Sequence, residues 1–187
     1  LDSASTGRGQ VLILTGEPGI GKSALVDETN RLAHDQNFSA LTTRCPEQEG
    51  APPFWPWTLA LTQIAKSNPE LIDDLTERNR ATLSSIVPAL DTEDSPASAS
   101  DSQFDLFMVT TNLIKSLANG SPLIITIDDL HWADSSSLKL LEHIADNIEG
   151  TKILLLCAMR DTEFDIGNAL SATLASLARH PATSRIP

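Results

Sequence analysis

Residues 16–23 read Gly-Glu-Pro-Gly-Ile-Gly-Lys-Ser, and this string constrains the fold more than any other stretch. It has the form G-x-x-x-x-G-K-S. It follows an apolar run at 10–15 that suits a buried parallel strand, and it opens a stretch at 22–36 with helical spacing. Glycines at such a turn let backbone N–H groups curl around a phosphate without Cβ clashes. The helix start adds partial positive charge and unpaired donors. A lysine in this position reaches β- and γ-phosphates, and the following serine offers a hydroxyl to Mg²⁺. The expected phosphate-binding set is Gly16, Glu17, Pro18, Gly19, Ile20, Gly21, Lys22, Ser23 and Ala24. The plainer alternative, a glycine-rich turn that happens to precede a lysine, does not require strand, motif and helix to fall in this order.

The rest of the chain alternates in the same way. Strands are expected at 38–44, 122–128 and 151–158, and helices at 57–67, 70–87, 103–118, 135–147 and 168–179. Such alternation predicts an α/β fold, a parallel sheet with helices on both faces. In the first helix Leu25, Val26, Thr29, Leu32 and Ala33 share a face; in the helix at 103–118 Phe104, Phe107, Met108, Thr111, Ile114 and Leu117 do. Residues 91–102 read Asp-Thr-Glu-Asp-Ser-Pro-Ala-Ser-Ala-Ser-Asp-Ser, a composition that cannot bury a core and is expected to form a flexible acidic loop.

The strand at 122–128 ends in acid, Asp128 followed by Asp129. Asp128 suits a Mg²⁺-side role, and Asp129 the orienting or deprotonation of a water. A helix N-cap or a solvated turn is the alternative for the pair. Asp134 is placed to cap the next helix. Trp132 is expected to pack rather than to serve the site, and His131 to make a structural hydrogen bond, with sensing of the phosphate end of the site as the alternative. Arg160 follows the strand at 151–158, where ligand chemistry gathers in a parallel sheet. Its guanidinium suits a γ-phosphate, with a salt bridge to Asp161 or Glu163 as the alternative. Arg44, at the end of the second strand, is a weaker candidate. The Pro-Pro-Phe-Trp-Pro-Trp segment at 52–57 reads as a core anchor, or else as a partner or lid surface.

Composition narrows the partners. The 187 residues hold 13 Lys plus Arg against 25 Asp plus Glu, a net charge of −12. An acidic surface disfavours nucleic-acid binding by this chain, because phosphate contacts need clustered cations. Any DNA contact is expected only through domains outside it. Cys45 and Cys157 have neither disulfide-framework nor metal spacing, and they read as reduced thiols in a cytoplasmic protein. No apolar run approaches the roughly 20 residues of a membrane span, and no membrane partner is expected.

Together the strings GEPGIGKS (16–23), RCPEQEGAPPFWPW (44–57), LIITIDDLHWADSSSLKLL (123–141) and LLLCAMRDTE (154–163) resemble the ATPase domain of the STAND class of P-loop proteins, within the AAA-like group. The similarity is strongest to large ATP-binding LuxR-type and MalT-like transcription regulators. It implies a three-layer P-loop NTPase fold occupying 1–187 as one domain, with ATP or ADP and Mg²⁺ as cofactors. In that family pattern Lys22 and Ser23 carry phosphate and metal, Asp128 is the Mg²⁺ aspartate, Asp129 the catalytic acid and Arg160 the first sensor. It further implies a slow ATP-hydrolysing switch, output domains in the same full-length chain and ATP-dependent self-association. The chain departs from the pattern in lacking the opening Gly-Arg-Glu element. It also has Gln103 and Asp105 where basic residues are often seen, and it stops about where another strand would begin, which reads as a domain truncated at its ends.

Asp129 is one methylene shorter than glutamate, and a shorter reach places water less well and slows turnover. A second reading is a nucleotide-holding oligomerisation module without significant hydrolysis, for instance ahead of a cyclase or kinase output domain. A GTPase lacks its guanine reader here, since no Asn-Lys-x-Asp or Thr-Lys-x-Asp string follows the acidic strand. A small-molecule or nucleotide kinase would need an acceptor pocket that the sequence does not reveal.

Overall fold

Strand–helix alternation produces a five-stranded, all-parallel sheet in a computed structural model that describes residues 1–47, 51–91, 102–161 and 169–187. The elements run α1 (Asp2–Ser5), β1 (Gln10–Leu14), α2 (Lys22–Asp35), β2 (Ser39–Arg44), α3 (Trp55–Ser67), α4 (Pro69–Asp73), α5 (Glu77–Ser84), α6 (Gln103–Gly120), β3 (Leu123–Asp128), α7 (Ser135–Asp146), β4 (Ile153–Ala158), α8 (Ala169–Leu177) and β5 (Thr183–Ile186). The sheet order is β2-β3-β4-β1-β5. The chain therefore leaves β1, crosses to the far edge at β2, and steps back through β3 and β4 to lie beside β1 again. Ends of β1 and β4 are neighbours, and β3 is one strand further. Ligand sites in open α/β sheets gather at such reversals of strand order. Most of the acidic loop expected at 91–102, residues 92–101, lies outside the described residues.

Side chains of a strand alternate between faces, and here the two faces carry cores of unequal size. Leu123, Ile125 and Ile127 of β3 join Val11, Ile13, Leu155 and Cys157 in the larger core, beneath residues of α3 to α8. Ile124, Leu154 and Leu156 face Val26 and Ala33 of α2 and Ala4 of α1 in the smaller one. Helices on both faces make this a three-layer α/β fold of the P-loop NTPase type. α2 buries only a narrow stripe, which corrects the broad apolar face expected for it. Val26 and Ala33 are buried, but Leu25 and Leu32 are 49% and 40% exposed. Likewise in α6 Phe107, Ile114 and Leu117 are buried while Phe104 stays 62% exposed.

Three boundaries differ from the sequence expectation. The helix expected at 70–87 is two helices, because Thr76 interrupts it and caps α5 by accepting a hydrogen bond from the Asn79 N–H at 3.2 Å. α3 starts two residues early, at Trp55, where Phe54 turns the chain with φ 65° and Pro56 sits in the first turn. The last residues, expected to end before a further strand, themselves form β5 alongside β1, with Leu12 opposite Ser184 and Leu14 opposite Ile186. At the opposite edge, Gln63 of α3 hydrogen-bonds the Thr42 carbonyl (2.9 Å) and N–H (3.4 Å), so a side chain covers part of the open β2 edge. Among the described residues no helix is long and apolar enough to cross a membrane.

Candidate nucleotide site

The phosphate loop begins where β1 ends. Gly19 (φ 83°) and Gly21 (φ 107°) take left-handed backbone conformations, and a Cβ at either would meet nothing within 4 Å. Open space above such glycines is what lets an anion approach the backbone N–H groups. Gly21 is also the N-cap of α2, which aims the helix start at the same point. The Lys22 ammonium lies along the loop and donates to the carbonyls of Gly16 (2.7 Å) and Glu17 (2.9 Å). Buried Thr126 of β3 donates to Asn30 of α2 at 3.0 Å, which fastens the phosphate-loop helix to the strand that carries the acids.

Asp128 is the last residue of β3. In a continuing strand, Asp129 would face the other side of the sheet. Instead its backbone turns left-handed (φ 54°, ψ 40°) and its N–H donates to Asp128 Oδ1 at 2.9 Å. Asp and Asn are the non-glycine residues that tolerate this conformation best. The turn breaks the alternation, so both carboxylates enter one cleft of about 250 Å³. Lining that cleft with them are Pro18, Gly19, Gly21, Lys22, Ser23, Ala24, Arg44 and Arg160. Of the sequence-predicted set, Gly16, Glu17 and Ile20 lie in the loop but not in the cleft wall; Ile20 is 68% exposed. A serine hydroxyl and carboxylates lining one cleft are hard donors of the kind Mg²⁺ takes, so the residues present fit that ion.

Arg44 was the weaker candidate in the sequence, yet it reaches both acids. Its Nε donates to Asp129 Oδ2 at 2.8 Å, and its Nη2 lies 3.5 Å from Asp128 Oδ2. The signal was present in the sequence as an arginine ending a strand. Its meaning depended on the pairing of Arg44 with Asp128 in the β2–β3 ladder. Arg160 stands two residues past the end of β4. Asp161, the partner foreseen as an alternative, pairs with Arg185 at 3.0 Å instead, and Glu163 lies outside the described residues.

Around the site, Asp134 caps α7 as expected, accepting from Ser136 N (2.9 Å) and Ser137 N (3.0 Å). It also accepts from the Phe54 N–H at 3.2 Å, which ties the 52–57 segment to the acid turn. Phe54 and Trp57 of that segment are buried, and the Trp57 indole donates to the Ser137 carbonyl at 3.0 Å, as a core anchor would. Two expectations need correction. Trp132 is not packed away but 42% exposed, at the wall of a neighbouring cavity of about 220 Å³. His131 makes no structural hydrogen bond; its ring lies 5.1 Å from that of Trp132, and burial lowers its pKa. Burial pushes both thiols, Cys45 and Cys157, up to about 12, and both are free.

No curated protein matches this sequence. Similar solved structures include that of Drosophila ORC bound to GC-rich DNA and Cdc6, at 15% identity over 98% of this chain and 50% of that one, with a TM-score of 0.47. Others are C. elegans PCH-2, at 16% identity over 95% of this chain and 35% of that one (TM-score 0.40), and the genome packaging NTPase B204 of Sulfolobus turreted icosahedral virus 2 in complex with ATP-gammaS, at 9% identity over 92% of this chain and 82% of that one (TM-score 0.37). The chain thus spans half the length of the first. Residues 1–156, from the first helix into β4, match the AAA ATPase domain family, and the chain belongs to that family.

Proposed function

We propose that this AAA ATPase domain is an ATP-binding and slowly ATP-hydrolysing switch, of the STAND class found in LuxR-type and MalT-like regulators. The observation that carries the reading is the meeting of the phosphate loop with Asp128, Asp129 and Arg160 around one cleft. In this reading the loop N–H groups and Lys22 bind the β- and γ-phosphates. Ser23 and Asp128 hold Mg²⁺, which when bound neutralises charge on the phosphate oxygens. Asp129 orients and deprotonates the attacking water, and Arg160 donates to the γ-phosphate. Output domains elsewhere in a longer chain would read the ATP and ADP states, with self-association favoured by ATP. Any DNA contact falls to those domains, since this chain carries −12. The test is phosphate release with Mg²⁺ and ATP or GTP. Turnover of ATP below about 1 s⁻¹, with GTP a poor competitor, is expected; fast turnover, or equal use of GTP, would contradict the reading.

A second reading, a nucleotide-holding module without hydrolysis, is favoured by the Arg44 bridge. While Arg44 engages both carboxylates, Asp129 is not available as a base and Asp128 shares its charge. Arg44 is two-thirds exposed, at 66%, and ion pairs this open are weak. The bridge is therefore a restraint that nucleotide can displace rather than a lock. Arg44→Ala is expected to raise ATP turnover about two- to fivefold, the size of one exposed ion pair. A fall in turnover would instead assign Arg44 to the phosphate side of the site.

A further inference from the structure

We propose that Arg185, on the edge strand β5, keeps Arg160 available to the γ-phosphate by holding Asp161 away from it. The proposal rests on the reading of Arg160 as a γ-phosphate donor. The residues on either side of Arg160 are tied to the start of the phosphate loop. The Met159 N–H donates to the Leu14 carbonyl and the Asp161 N–H to the Gly16 carbonyl, both at 3.0 Å. Arg160 therefore hangs between two backbone anchors and lines the cleft. Its nearest carboxylate in sequence is Asp161, one residue away. Left unpaired, that carboxylate would compete with phosphate for the Arg160 guanidinium, because both are anions suited to its fork.

Arg185 removes the competitor. Its guanidinium donates to Asp161 Oδ1 at 3.0 Å and through Nε to Thr15 Oγ1 at 3.2 Å. Thr15 is buried, and its N–H donates to the Ile186 carbonyl at 2.8 Å. The parallel ladder sets Arg185 opposite Ile13. Arg185 thus spans the residue before the phosphate loop and the residue after Arg160. Both partners of the ion pair are about half exposed, at 51% and 50%, so the pair adds little to fold stability. Its effect lies in where it leaves the Asp161 charge. Arg185 is in this sense a positioning residue, and it links the end of β5 to the phosphate site.

The experiment measures the ratio of ATP to ADP dissociation constants by calorimetry with Mg²⁺. It compares the parent with Arg160→Ala, Arg185→Ala, Arg185→Lys and the double variant Arg185→Ala/Asp161→Asn. Far-ultraviolet circular dichroism confirms that each is folded. Arg185→Ala is expected to cut the preference for ATP over ADP about tenfold or more, the low end for one charge-assisted hydrogen bond, with ADP affinity near the parent's. Arg185→Lys should keep most of the preference. The double variant should recover it, because the competing charge is gone. A merely structural role would leave the double variant as impaired as the single one, and that result overturns the proposal, as does a parental ratio in Arg185→Ala. If Arg160→Ala itself leaves the ratio unchanged, the sensor reading fails along with this proposal. If the parent binds neither nucleotide, the proposed function fails first.

Discussion

Lys22→Ala is expected to lower ATP affinity about a hundredfold. The Lys22 ammonium is already drawn into the loop, on the carbonyls of Gly16 and Glu17. A triphosphate would replace two neutral acceptors with charged ones while the side chain stays close to its place. Hydrogen bonds to charged partners are worth about 1.5–3 kcal/mol each, so losing even two at the low end costs about 3 kcal/mol, or roughly a hundredfold in dissociation constant. The fold should survive, since Lys22 belongs to neither core. Thermal melting separates the two effects. Without nucleotide, parent and variant should melt within a degree or two of one another. With Mg²⁺ and ATP at about a hundred times the parent's dissociation constant the parent should rise far more than the variant, because ligand that binds only the native state stabilises by mass action. Equal ATP-induced stabilisation of both proteins would remove Lys22 from the site.

The phosphate loop and the acid pair were legible because each is a local string whose chemistry depends on its flanking elements alone. The same holds for the Asp134 cap, which forms within the four residues 134–137. What escaped depends on strand neighbours. Arg44 gains its meaning from lying beside Asp128 in the ladder, and the two are far apart in sequence. β5 is only four residues long, with an exposed Ser184, Arg185 and Ile186. Backbone pairing with β1 makes it a strand, not a hydrophobic pattern of its own. Exposure of Leu25 and Leu32 was hidden for a related reason. Periodicity marks which side chains share a helix face, but the width of that face actually covered is set by the neighbouring layer. Over α2 that layer is the sheet with α1, and it covers Val26 and Ala33 only.

The left-handed turn at Asp129 joins geometry to chemistry. It is what brings the second carboxylate into the cleft, and the backbone region it uses favours Asp and Asn over longer side chains. The residue type at this position is thus restricted twice, by the turn and by the proposed need for a base, and the restriction accounts for the short reach that predicts slow turnover.

Asp129→Asn separates these two demands. Asparagine is nearly isosteric, tolerates the same φ and keeps one carbonyl oxygen for the Arg44 Nε–H, now 2.8 Å from Asp129 Oδ2. The turn, the cleft wall and the neighbouring Asp128 should therefore persist. What is lost is the ability to accept a proton. General-base contributions are typically 10²–10⁴-fold, and a base whose reach is short falls toward the lower end. ATP hydrolysis is expected to drop about a hundredfold or more while ATP affinity stays within about threefold of the parent. Single-turnover phosphate release, with nucleotide binding measured on the same preparations, distinguishes the outcomes. Loss of both binding and turnover would mean that Asp129 supports the loop rather than the water. Retention of both would mean that the nucleophile is activated elsewhere, and the domain would then be better described as a nucleotide-holding module.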